Sequence, residues 1–135
     1  MALKGGCLCG NVRYEIDMKP GEGQAANCHC SMCRKQTGAA FFPAMVVPAK
    51  KLKWIKGENQ TGRYKSSAEG VRFFCKNCGS TLGAGSGDPN GDFYLAMGTL
   101  ENDPGIKPSS HMFAGSKAPW YDIADKQPQF KEFPS

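Results

Sequence analysis

Cys75-Lys76-Asn77-Cys78-Gly79 sets two thiols three residues apart around a tight turn, with a glycine where a Cβ would oppose the backbone. This is a zinc-knuckle pattern, and it supplies two of the four thiolates that a closed structural metal shell takes. The other two can come from Cys7-Leu8-Cys9. In extended chain, residues i and i+2 project to the same side, so Cys7 and Cys9 can offer both sulfurs to one ion. The pairs are separated by 65 residues. A shared ion would therefore clip the start of the chain to its middle.

The remaining cysteines fall in Cys28-His29-Cys30-Ser31-Met32-Cys33. Three thiolates leave a tetrahedral ion one ligand short. Three protein ligands plus an open position mark a catalytic metal, whereas four mark a structural one. Either the position is open, or His29 or His111 closes it as Cys₃His. His29 lies between two ligands of an extended stretch and should point away from the metal they share, which suits it to a place behind the ligands. A third reading takes Cys30 and Cys33 as a thioredoxin-like redox pair, but that motif belongs at a helix start within a βαβ unit, and no such periodicity is visible.

Composition explains why metal would matter. Leu, Ile, Val and Phe number only 22 of 135 residues, while Gly and Pro number 26. Such a chain has a thin apolar core, and a structural zinc brings roughly 10–16 kcal/mol of apparent folding free energy. No leader-like apolar region follows Met1 and no 18-residue apolar run occurs, so a cytoplasmic protein with no membrane association is expected. There thiols stay reduced, and seven is an odd number for disulfides. The formal charge of +5 falls to about +2 if seven thiolates hold two Zn²⁺, which weakens a nucleic-acid reading.

No long amphipathic helix is evident. Val12, Tyr14 and Ile16 alternate with Arg13, Glu15 and Asp17, and further strand-like runs cover 39–47, 52–54, 62–65, 71–74, 93–97 and 110–113. The whole chain, 1–135, reads as one mostly β domain of antiparallel sheets, with a single helical turn after Ser31. Pro43 marks an edge or bulge. Gly83–Asp92 reads as a hairpin connection. Five of the nine prolines lie from Pro104 onward, an extended wrap over the sheets. Lys50, Lys51, Lys53 and Lys56 around Trp54 suit either an edge strand guarded by lysines or a phosphate-contacting stretch.

Taken together, Gly5-Gly6-Cys7-Leu8-Cys9-Gly10-Asn11-Val12-Arg13-Tyr14, Cys28-His29-Cys30-Ser31-Met32-Cys33-Arg34-Lys35 and Phe74-Cys75-Lys76-Asn77-Cys78-Gly79-Ser80 resemble the glutathione-dependent formaldehyde-activating enzyme family, with Gly98-Thr99-Leu100 and the His111–Trp120 segment adding to the likeness. The resemblance implies an Mss4-like, β-tent fold with zinc knuckles. It implies a structural zinc on Cys7, Cys9, Cys75 and Cys78, and a catalytic zinc on Cys28, Cys30 and Cys33. It also implies carbon-sulfur lyase chemistry that joins a glutathione-type thiol to formaldehyde, and reverses it. Some relatives, such as centromere protein V, are discussed in non-enzymatic terms, so a zinc-stabilised binding module is the alternative. Methionine sulfoxide reduction, found among fold-level cousins, needs a cysteine outside the knuckles, and none follows Cys78. Arg34 could pair with a substrate carboxylate, Lys35, Gln36 and Thr37 could line the same pocket, and His111 could carry a proton or simply pack in a core strand.

Overall fold

A computed structural model of the chain describes residues 2–134. Its strands are β1 (Leu3–Gly6), β2 (Arg13–Ile16), β3 (Gln24–Cys28), β4 (Phe42–Pro48), β5 (Leu52–Lys56), β6 (Thr61–Lys65), β7 (Val71–Cys75), β8 (Thr81–Gly85), β9 (Asp92–Ala96) and β10 (His111–Met112), with one α-helix, α1 (Ser31–Thr37). They form a three-stranded sheet, β1-β2-β5, and a seven-stranded sheet, β10-β3-β4-β9-β8-β7-β6.

Side-chain alternation builds the core between the two sheets. Leu3, Val12, Tyr14 and Ile16 pack from the small sheet against Ala25, Met45, Val47, Phe73, Leu82, Phe93 and Leu95 of the large one. The opposite face of the large sheet carries a second cluster, in which Cys28, Phe42, Ala44 and Ala96 pack with Cys33 of α1. By the same period of two, Arg72 and Phe74 of β7 fall on this far face, while Phe73 and Cys75 face the core. β5 pairs only with β2, so its lysines line a sheet edge. Trp54 packs edge-on against Tyr14 and Phe93. It is a core contact rather than a free stacking platform.

Three sequence expectations change. The sheets are not wholly antiparallel, because β10 runs parallel to β3; the proline-rich tail donates this strand and bridges it again at Gln129. The glycine-rich connection narrows to residues 86–91, since Gly83 and Gly85 belong to β8. A Cβ at Gly83 would stand 2.5 Å from the Phe93 ring, so only glycine lets the neighbouring strand approach. Pro43 lies inside β4 rather than at a sheet edge. The β4–β9 ladder begins at Ala44, and the N–H of Asn27, opposite Pro43, goes instead to Ser110 O, so the proline interrupts no ladder bond.

Leu95 is fully buried and Ile55 is 55% exposed. Leu95→Ala should therefore lower unfolding free energy by about 2–5 kcal/mol and Ile55→Ala by no more than about 0.5 kcal/mol, measured by denaturant titration.

Candidate functional site

None of the seven cysteines is paired in a disulfide, and in space they form one group of four and one group of three. The sulfurs of Cys7, Cys9, Cys75 and Cys78 lie within 4.8 Å of one another. Cys9 Sγ stands 3.6 Å from Cys7 Sγ and 3.8 Å from Cys75 Sγ. Four thiolates at ordinary zinc–sulfur distance mark a tetrahedron with edges of about 3.8 Å, so this donor set fits a closed metal shell.

Local backbone chemistry builds the group. After β1 the chain turns through Cys7 N–H to Val12 O (3.0 Å) and Gly10 N–H to Cys7 O (3.2 Å). After β7, Gly79 at φ +79° returns its N–H to Cys75 O at 2.8 Å, a conformation that a side chain would oppose. Ser80 joins the two turns: its Oγ accepts the Leu8 N–H at 3.0 Å and lies 3.2 Å from Cys78 Sγ. The Ser80 hydroxyl, with nearby backbone N–H groups, draws the Cys78 thiol down to about 5, whereas burial pushes Cys75 up to about 11.

The second group occupies the far face of the large sheet. Cys28 ends β3, Cys30 caps α1 by accepting the Cys33 N–H at 3.3 Å, and Cys33 lies in the helix's first turn. Their sulfurs also lie within 4.8 Å of one another. Hydrogen bonds from the Cys28 and Cys33 thiols pull Cys30 down to about 2, and the same bond to Cys30 pushes Cys28 far up. Thiols this close oppose one another's ionisation, and a cation among them would let all three ionise.

The side chains singled out beside this cluster have definite partners. Arg34 donates from Nε to His29 O at 3.4 Å. Thr37 donates to Cys33 O at 2.8 Å and accepts the Ala39 N–H at 3.1 Å, closing the end of α1. His111 is buried, with Nδ1 2.8 Å from His29 Nε2 and Nε2 2.9 Å from Asp125 Oδ2. Because the Asp125 carboxylate accepts, His111 carries its hydrogen on Nε2 and takes the His29 Nε2–H at Nδ1. His29 Nδ1 is buried without a partner, and burial holds the His29 pKa below its usual value. Phe41 and Tyr121 pack around the His29 ring. Asp125, His111 and His29 thus form one chain, with His29 Nδ1 the ring nitrogen left over.

Sequence reasoning passed over Arg72. From β7 its Nη1 donates to Cys33 Sγ at 3.3 Å and to Gln36 Oε1 at 3.1 Å. The signal was available: strand alternation puts Arg72 on the opposite face from Cys75. Asp125 had no signal, since nothing local ties residue 125 to residue 111.

A sequence model of the glutathione-dependent formaldehyde-activating enzyme family matches residues 2–116, and the chain belongs to this family. Among its relatives, a Schizosaccharomyces pombe protein named as an uncharacterised lyase is 25% identical over 127 residues, covering 94% of this chain and 89% of the relative. Proteins of Halomonas elongata and Phaeosphaeria nodorum, provisionally named as glutathione-dependent formaldehyde-activating enzymes, are 30% identical over 87 residues and 29% identical over 140 residues. These matches cover 61% and 98% of this chain, but only 55% and 63% of the relatives' own lengths. A solved structure of a Rhodobacter sphaeroides protein superposes with a TM-score of 0.60 at 27% identity, over 78% of this chain and 91% of that one.

Replacing Cys78 with Ser should abolish soluble expression or lower the melting temperature by more than about 10 °C, because it opens a shell that joins two sheets over a thin core. Metal analysis of the purified variant checks the cause. A well-folded Cys78→Ser protein with full metal content would contradict it.

Proposed function

We propose that this protein is a zinc-dependent carbon-sulfur lyase acting on a glutathione-type thiol and an aldehyde. The observation that carries the reading is the three-sulfur cluster of Cys28, Cys30 and Cys33, which neither His29 nor His111 joins as a fourth donor. Family membership supports the same chemistry. In this reading Cys7, Cys9, Cys75 and Cys78 hold a structural zinc, and the three-cysteine group holds the catalytic one. Bound there, zinc supplies a soft open position where a substrate thiol ionises near neutral pH.

The chain's own residues do the rest. Cys28, Cys30 and Cys33 fix the position of the reacting sulfur, and α1 holds Cys30 and Cys33 in register. Thr37 keeps the helix closed. Arg34, tethered through Nε, leaves its two terminal nitrogens for an anionic substrate group. His111 orients His29 and sets its tautomer, with Asp125 behind it. In the forward direction the thiol gives up its proton, sulfur attacks the aldehyde carbon to form the C–S bond, and the carbonyl oxygen takes up a proton as the hydroxyl of the hemithioacetal. The reverse sequence releases thiol and aldehyde. The cytoplasm, where such thiols stay reduced, is the compartment this chemistry calls for. No helix among the described residues is long and apolar enough to cross a membrane.

Proton NMR exchange spectroscopy of glutathione with formaldehyde tests the proposal. Wild-type protein should accelerate hemithioacetal exchange at least tenfold over buffer, and Cys30→Ser should return the rate to background while keeping the folded spectrum. Equal rates for the two proteins across a panel of thiols would overturn it.

A further inference from the structure

A cavity of about 460 Å³ opens on the far face of the large sheet; none of the three clustered cysteines lines it, but its lining residue Arg72 reaches Cys33 Sγ at 3.3 Å. That size falls within the usual range for small-molecule sites, about 300–1,000 Å³. Met32, Tyr64 and Phe74 give it apolar walls, and among the described residues Arg72 is its one charged lining residue and no acidic side chain lines it.

Its hydrogen-bonding groups are unbalanced. Arg72 spends Nη1 on Cys33 Sγ and Gln36 Oε1, while its Nη2 and Nε make no hydrogen bond among the described residues. A guanidinium cannot accept, so Gln36 must turn Oε1 toward it. That leaves the Gln36 amide Nε2 buried and without a partner. The Gln36 nitrogen is enclosed, whereas the free Arg72 nitrogens are not, so the guanidinium is the group that offers donors to the cavity. The hydroxyl of Thr81, also on the lining, already donates to Gln36 O.

We propose that Arg72, held in place by Gln36, forms a carboxylate-holding subsite that selects thiol substrates bearing a free carboxylate; this rests on the reading that the adjacent cluster takes up the thiol. A carboxylate is the acceptor that suits the free guanidinium nitrogens, pairing with them in charge-assisted bonds. The same guanidinium touches Cys33 Sγ, so one small molecule can place its sulfur at the cluster and its carboxylate on Arg72. Apolar walls beside the charge suit the rest of such a molecule. Arg34, held at the His29 carbonyl, does not line this cavity.

Two readouts on the zinc-loaded protein separate this inference from the lyase reading. Isothermal titration compares glutathione with its diethyl ester, and NMR exchange with formaldehyde compares KM and kcat for the same pair. Wild type should bind glutathione at least tenfold more tightly than the ester. Arg72→Gln should narrow that preference to less than about twofold and raise KM for glutathione at least tenfold, with a smaller change in kcat. Arg72→Lys, which keeps the charge but not the fork, should fall between them. If wild type binds both thiols equally, or if either Arg72 variant folds, keeps its zinc and retains the full preference, the subsite is overturned even where exchange is catalysed. If the preference is present in binding while no thiol's exchange is accelerated, the lyase reading fails and the subsite stands.

Discussion

Four sulfurs from two different sheets share one corner of this protein, and the rest of the structure hangs on that corner. Cys7 and Cys9 leave the small sheet, Cys75 and Cys78 leave the large one, and their sulfurs gather within 4.8 Å. Besides the sulfurs, the Leu8 N–H to Ser80 Oγ bond ties the two turns together. Leu8, the residue between the first pair, is 88% exposed. Ionised sulfurs at this separation repel one another, and a divalent cation turns that repulsion into a bond network. A core this poor in large aliphatic side chains has few other means of joining distant segments.

The same corner reaches the second site through one strand. Cys75 ends β7 facing the core, so the alternation of that strand sends Arg72 and Phe74 to the far face, where α1 crosses. Shifting β7 by one residue would turn Arg72 into the core and take its contact from Cys33 and Gln36. The knuckle therefore positions the cation beside the three-sulfur cluster as well as the fold around it. From the other side, the tail supplies β10, His111 and Asp125, which brace His29 directly behind the same cluster. The far-face site is assembled from residues 28 to 125. Its sulfurs are local, but its supports are not.

That difference governs what could be read from the chain. Val12, Tyr14 and Ile16 announce a half-buried strand because period-two alternation is local, and they are indeed among the most buried side chains. The grouping of the cysteines was legible for the same reason, since metal-ligand spacing is a property of short segments. β1 and β8 were not legible, because Leu3–Gly6 and Thr81–Gly85 are rich in glycine where neighbours come close. β3, Gln24–Cys28, lacks β-branched or aromatic residues and is made a strand by β4 and β10 on its flanks. The parallel pairing of β10, the His29–His111 contact and the Arg72–Cys33 contact join residues 39 to 84 positions apart. No local pattern encodes them.

In the proposed reading, two cysteine groups of unequal size hold two zinc ions of unequal kind, one closed and one open to a substrate sulfur. X-ray absorption at the zinc edge tests this most directly, on the zinc-loaded protein before and after saturation with glutathione. About 3.5 sulfurs per zinc on average are expected in the free protein, rising to about 4 when thiol fills the open position. A sulfur count that starts at 4, or one that does not change when glutathione is added, would contradict it.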